Sequence, residues 1–430
     1  MNRRTFFQTA AVAAGGFRAL GANDRINVAI VSARGRGRYL IDTCARLPQA
    51  RIAAVCDVDQ AQVERASKLA ESLQGAAPEP YADIRRLLEN RSIDAVAIAT
   101  CNHWHALATI WACQAGKDVY VEKPASHNLF EGRKMMEAAR KYNRMVQAGM
   151  QSRTTAHKIE AIRLLREGIV GKLYMAKGIC YKRRPSIGKA ADGPVPPGVD
   201  YDLWRGPAPM RPFNPNRFHY NWHWFWDTGN GDIGNQGVHE MDIARWGLGK
   251  DTLPEHVVST GRKFLYGDDQ ETPNTQTAIF QYPDCELVFE VRGLPTGGEA
   301  SIAEDEHIFI GDIFFGSEGY LSLDPRGCQI YQGEKHELVR ELKAREPIWE
   351  TAPHMANFLD AVRARDHRRL TCDIREGHLS TALIHMANTS YRLGRSLRFD
   401  PARENYGRDA EANRFLSRDY RKPFVVPEKV

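Results

Sequence analysis

The 430-residue sequence has no apolar run approaching the roughly 20 residues that a membrane helix needs, no internal repeat and no low-complexity tract. An integral membrane span and a collagen-like or wholly disordered chain are therefore excluded. None of the eight cysteines is spaced as CxxC, and no zinc-ligand spacing is present, so no metal is expected. Cys56 and Cys101 end apolar strand patterns while Cys44 and Cys113 lie within helical ones, settings in which a thiol is a small hydrophobe. Charge of one sign is also scarce. Of the net +6, three charges come from Arg3, Arg4 and Arg18, and the rest is too small and too interspersed for a nucleic-acid footprint.

What is present is an ordinary globular composition, 43% hydrophobic and 26% charged, with length for two or three domains. Residues 1–24 hold an arginine pair followed by x-Phe-Phe, a short apolar run from Thr9 to Phe17 and the small-residue stretch Ala19-Leu20-Gly21-Ala22. This is the pattern of a twin-arginine export signal, whose machinery carries folded proteins. It predicts a periplasmic or secreted protein that folds with its thiols free before export.

From Arg25 the chain alternates apolar runs with helical patterns, the signature of βαβ units and a doubly wound parallel sheet. Strands are expected at Ile26 to Val31, Arg51 to Asp57, Asp94 to Thr100, Asp118 to Glu122 and Met145 to Ala148. Residues 25–150 are thus an α/β dinucleotide-binding domain. Residues 151–400 are β-rich with long closing helices and read as an α+β domain for substrate and self-association, with an antiparallel hairpin at Pro283-Asp284-Cys285. Residues 401–430 read as an extended C-terminal arm.

After the first strand comes Ser32-Ala33-Arg34-Gly35-Arg36-Gly37, where such folds bring backbone amides and a helix N-terminus to a pyrophosphate. Only Gly37 is in register with G-x-G-x-x-G: Ser32 replaces the turn glycine, and Arg34 the one that admits phosphate. Asp57, at the end of the second strand, suits the ribose hydroxyls and repels a 2′-phosphate, so NAD rather than NADP is expected.

Ala99-Thr100, His105, Ala115-Gly116-Lys117, Glu122-Lys123-Pro124 and Glu131 follow one another with the spacing of the Gfo/Idh/MocA oxidoreductases, which the chain resembles from Arg25 almost to its end. Cys101 stands where that family usually has proline. The resemblance implies a nicotinamide-binding Rossmann domain and a C-terminal domain on an open antiparallel sheet. It also implies homo-oligomers formed through that sheet, and sugar or cyclitol substrates. It places Thr100, Asn102, His105, Glu122 and Lys123 beside the cofactor. Lys123, at the carboxyl end of a parallel strand, suits an ammonium that polarises the reacting oxygen, with Glu122 beside it to hold that ammonium.

In the family a helix carries an Asp and a His four residues apart, the His acting as acid/base. Here His239 matches the His and Asn235 occupies the Asp position. Asp232, seven residues before His239, falls on the same face of a continuous helix and is either a substitute carboxylate or an N-cap. Upstream, Phe218 to Asp227 holds six aromatics in ten residues. Trp222, His223 and Trp224, with Asn235 and His239, are candidate sugar contacts; core packing or a subunit interface explains the same rings. Lys182-Arg183-Arg184 reads as a solvated strand edge.

The expected function is hydride transfer between a tightly bound nicotinamide and a hydroxyl-bearing carbon of a sugar, glycoside or cyclitol. Two alternatives stand beside it: glycoside cleavage by transient oxidation and elimination, and a nucleotide-loaded binding protein without turnover.

Overall fold

The computed structural model describes residues 25–297, 299, 304–305, 308–344 and 351–430; residues 1–24, where an export signal is expected, lie outside them. The first domain runs β1 (Ile26–Val31), α1 (Arg36–Arg46), β2 (Ala50–Cys56), α2 (Gln60–Gln74), β3 (Glu79–Tyr81), α3 (Ile84–Glu89), β4 (Ala95–Ile98), α4 (Asn102–Gln114), β5 (Asp118–Val121), α5 (Leu129–Lys141) and β6 (Val146–Ala148). All six strands are parallel, in the order β3-β2-β1-β4-β5-β6. The order reverses between β1 and β4, which opens a crevice at their carboxyl ends. Every residue of β4 and β5 is buried, because helices cover both faces. β3 and α3 are absent from the sequence reading. β3 is a three-residue edge strand containing Pro80, too short to show a period.

The second domain contains α6 (Ala156–Arg166), β7 (Leu173–Lys182), α7 (Tyr201–Arg205), α8 (Gly231–Asn235), α9 (Gly237–Gly247), β8 (His256–Arg262), β9 (Thr275–Gln281), β10 (Glu286–Arg292) and β11 (Glu304–Asp305). β12 (Ile308–Gly316), β13 (Gly319–Asp324), β14 (Gly327–Gln332), β15 (Glu337–Lys343), α10 (Thr351–Ala364), α11 (Ile374–Leu393), β16 (Leu397–Arg398) and α12 (Ala410–Asn413) follow. Its sheet has the order β15-β14-β13-β12-β7-β10-β9-β8-β16. The β9–β10 hairpin is antiparallel as expected. The sheet is not antiparallel throughout: β7 and β10 pair in parallel, because β7 reaches the middle of the sheet after a long excursion rather than a hairpin.

One face of the sheet is covered by α9, which approaches so closely that a Cβ on Gly247 would meet the Phe314 ring at 2.1 Å. On the other face Ile179, Tyr181, Phe309 and Ile313 form a small cluster flanked by half-buried Phe315 and Tyr320.

The C-terminal segment is not a free extended arm. Phe424 and Val426 are buried, and Phe424 packs edge-on against Trp104, with ring centroids 5.4 Å apart. The tail therefore returns to the first domain.

Candidate active site

A cavity of about 410 Å³ runs along the crevice between the domains. The first domain contributes Ser32, Arg34, Gly35, Arg36, Asp57, Asp59, Thr100, Cys101, Glu122 and Lys123, and the second contributes Tyr220, Trp222, His223 and Asn235. Gly37 does not line it. A Cβ there would meet the Ser32 carbonyl oxygen at 1.8 Å, so this glycine lets α1 start directly against the turn.

Ser32 keeps the left-handed backbone of the glycine it replaces, with φ of 70°. Its hydroxyl bonds the Asp57 carboxylate, which helps to hold a conformation costly for a side chain. Asp57 also accepts backbone N–H groups from Ala33 at 2.7 Å and Asp59 at 3.0 Å. Burial nevertheless raises its carboxyl to about 6.

The crevice fits a dinucleotide on three counts. α1 begins at Gly35 with no side-chain cap and no acid in its first turn, leaving amide donors for an anion. The Thr100 hydroxyl is buried on the cavity wall without a partner. The Asp57 carboxylate lies on the same wall.

Three other expected cofactor contacts have different placements. Asn102 is buried behind the wall and donates to Asn230 Oδ1 at 2.8 Å. His105 bonds the carbonyls of Pro124 at 2.7 Å and Thr100 at 2.9 Å, so it fixes the two turns rather than lining the cavity. Glu122 does not hold the Lys123 ammonium. Its carboxylate takes Arg36 Nε at 2.7 Å and Gln151 Nε2 at 3.1 Å.

The Lys123 ammonium instead donates to the backbone carbonyl of Asn235. Burial lowers it to about 8; Glu122 and Glu240 oppose that shift, while Arg36 and Arg184 reinforce it.

The helix before His239 is not continuous. Gln236 separates α8 from α9, so Asp232 and His239 do not share one helical face. Asp232 is not the N-cap either, since Asn230 holds that position. Its carboxylate is clasped by the Arg184 guanidinium at 2.8 and 3.1 Å. Arg184, expected at a solvated edge, also lies over the Trp224 ring at 5.5 Å and is half-buried, so it turns inward from that edge without lining the cavity. Nothing in the basic run Lys182-Arg183-Arg184 marks which of the three turns inward.

His239 is half-buried in the first turn of α9 and does not line the cavity. Burial and the positive charge of Lys123 hold its imidazole well below the usual histidine range. Trp224 is buried and structural. Trp222 lines the cavity and stacks on His223, with centroids 3.6 Å apart and planes at 21°. Tyr220 and His219 line it as well, and Asp59 comes within 3.5 Å of His219 Nε2. All three were within reach of the sequence, in the aromatic run and the Asp57-Val58-Asp59 turn, but neither pattern says which side chains face inward.

The model of the oxidoreductase family's NAD-binding Rossmann fold matches residues 26–150, and that of its C-terminal alpha/beta domain matches residues 177–290 and 316–426. The chain belongs to the Gfo/Idh/MocA oxidoreductases. It is 25% identical over 303 residues to the uncharacterized oxidoreductase YrbE of Bacillus subtilis, an alignment covering 70% of this chain and 74% of that one. A glycosyl hydrolase family 109 protein of Saccharopolyspora erythraea is 25% identical over 161 residues, 36% of this chain and 35% of that protein. This chain thus spans only about a third of that relative's length. Among solved structures, levoglucosan dehydrogenase with NADH and L-sorbose aligns over 87% of this chain and 99% of its own, with a TM-score of 0.68 and 15% identity, a likeness of fold.

Proposed function

We propose that the protein oxidises and reduces a hydroxyl-bearing carbon of a sugar, glycoside or cyclitol with NAD(H) as hydride carrier. The observation that carries this reading is the half-buried Lys123 at the carboxyl end of β5, which lines one cavity together with Asp57, Tyr220, Trp222 and His223. When bound, the nicotinamide supplies the hydride acceptor or donor. Lys123 hydrogen-bonds the reacting oxygen and stabilises charge developing there. His239 lies outside the cavity lining but near enough to Lys123 for that charge to act on it, and with its imidazole held below the usual histidine range it is the neutral candidate for taking up the hydroxyl proton as the carbon–hydrogen bond breaks. Asp232, neutralised by Arg184, orients Asn235 through a long contact of 3.4 Å and is not the base. The aromatic wall suits the apolar C–H faces of a sugar ring.

NAD over NADP is supported by Asp57, and sugar-type substrates by the name of the structural neighbour above. A second reading, redox-assisted glycoside cleavage, is favoured by the family 109 relative. Mass spectrometry of the released cofactor, with products from a panel of sugars and glycosides, tests both. NAD(H) with a ketone product supports net oxidation, and aglycone release without net redox change supports cleavage. Absence of any dinucleotide overturns the proposal.

We further propose export by the twin-arginine route and self-association through the sheet face opposite α9. Supporting the first are Arg3-Arg4-x-Phe-Phe and eight cysteines that are all unpaired. With the signal fused to a reporter active only when exported folded, Arg3→Lys with Arg4→Lys should abolish transport, and undiminished transport would refute the assignment.

A further inference from the structure

Residues 196–219 leave the second domain and cross the adenosine end of the crevice. Gly198 accepts the backbone N–H of Gln60 at 3.0 Å, and Asp200 donates to the Val58 carbonyl at 2.8 Å. These bonds fasten the crossing beside Asp57 and the start of α2. Further along, the Trp104 indole N–H donates to the carbonyls of Leu203 at 3.0 Å and Trp204 at 3.2 Å. Leu203, Trp204, Phe218 and His219 then form a cavity wall opposite Asp57, Asp59 and Gln62.

The C-terminal arm lies outside this crossing and grips it. Arg421 donates from Nε to the Gly206 carbonyl at 3.0 Å, from Nη1 to the Asp202 carboxylate at 2.6 Å and from Nη2 to the Asp202 carbonyl at 2.7 Å. Its backbone N–H reaches the Pro207 carbonyl at 3.2 Å. Phe424 fills the space beside Trp104, the same side chain that holds Leu203 and Trp204. The arm, the crossing and the cavity wall are thus one chain of contacts.

We propose that residues 196–219 are a strap closed over the adenosine half of the dinucleotide and latched by the arm through Arg421, so that the arm sets the rate at which the dinucleotide leaves the crevice. The proposal rests on the reading of the crevice as a dinucleotide site.

The test measures the rate at which bound NADH leaves the full-length protein, followed by its fluorescence after addition of excess NAD⁺. Arg421→Ala should speed release by about ten-fold or more, the scale of losing charge-assisted hydrogen bonds, with an unchanged unfolding midpoint. Arg421→Lys should fall between Arg421→Ala and the parent. A chain ending at Ser417 should release faster still. Release from Arg421→Ala within two-fold of the parent overturns the latch. Failure of the parent itself to bind NADH or NAD⁺ instead overturns the underlying assignment of the crevice, so the two failures are distinct.

Discussion

At Asp57 two opposed effects meet: burial raises the carboxyl to about 6, and two backbone N–H bonds favour its charged form. At pH 7 it is mostly ionised, which suits ribose hydroxyls and repels a 2′-phosphate. Asp57→Ser should therefore raise the NADP-to-NAD affinity ratio by at least about ten-fold, read by titration of each cofactor. The same ratio in the parent should rise as pH falls below about 6, where the charge is lost. Lys123 titrates at about 8, and its useful form is the ammonium, present below that value, so carbonyl reduction should decline as pH rises through 8. Lys123→Ala and His239→Ala should each lower turnover by about 100-fold or more while keeping the cofactor. Arg36→Met frees Glu122 for the ammonium and removes a neighbouring positive charge. Both changes favour the charged lysine, so the alkaline limb should move up by about one unit. Asp57 and Lys123 were legible because each sits at a strand end, where position follows from the chain. The partner of Glu122 was not, since Arg36 reaches it from another βα unit, and the clasp of Asp232 by Arg184 depends likewise on packing across 48 residues.

β1 has the expected ends because its apolar run is nearly continuous, β9 and β10 alternate in burial on either side of the expected hairpin, and α11 is one of the long closing helices. β14 and β15 escaped notice. β15 is almost wholly exposed and β14 opens on a glycine, so neither shows an apolar period against its flanks. The break at Gln236 was hidden for a similar reason, since α8 and α9 join without a proline and read as one helix. For α1 the decisive feature is Gly37, where a methyl group would strike the Ser32 carbonyl. Gly37→Ala should push the helix from the turn, cost about 1–3 kcal/mol and weaken NADH binding. Thermal unfolding and a fluorescence titration measure the two effects. A stable variant with undiminished affinity would mean that the helix N-terminus does not hold the pyrophosphate.

In the whole molecule the two domains are joined by more than the chain connection at Met150: the strap crosses forward and the C-terminal arm returns, so separating the domains requires both to detach. The sequence showed the tail's apolar residues but not the Trp104 pocket that receives them, which takes shape only when α4 and residues 196–219 are packed together. Self-association belongs to the same scale. The sheet face opposite α9 carries Tyr174, half exposed, with half-buried Phe315 and Tyr320 beside buried Ile313, and the Tyr320 and Tyr331 rings stack 4.8 Å apart. The exposed part of Tyr174 and the half-buried Phe315 and Tyr320 rings gain by burial against a second copy, and a charge placed among them must be desolvated on association. Phe315→Glu should therefore shift the protein from oligomer to monomer in light scattering at micromolar concentration. Phe315 is remote from the crevice, so NADH affinity should remain that of the parent. A mass unchanged by the substitution would remove this face as the interface, and an altered NADH affinity at constant mass would show that the substitution acts through the fold.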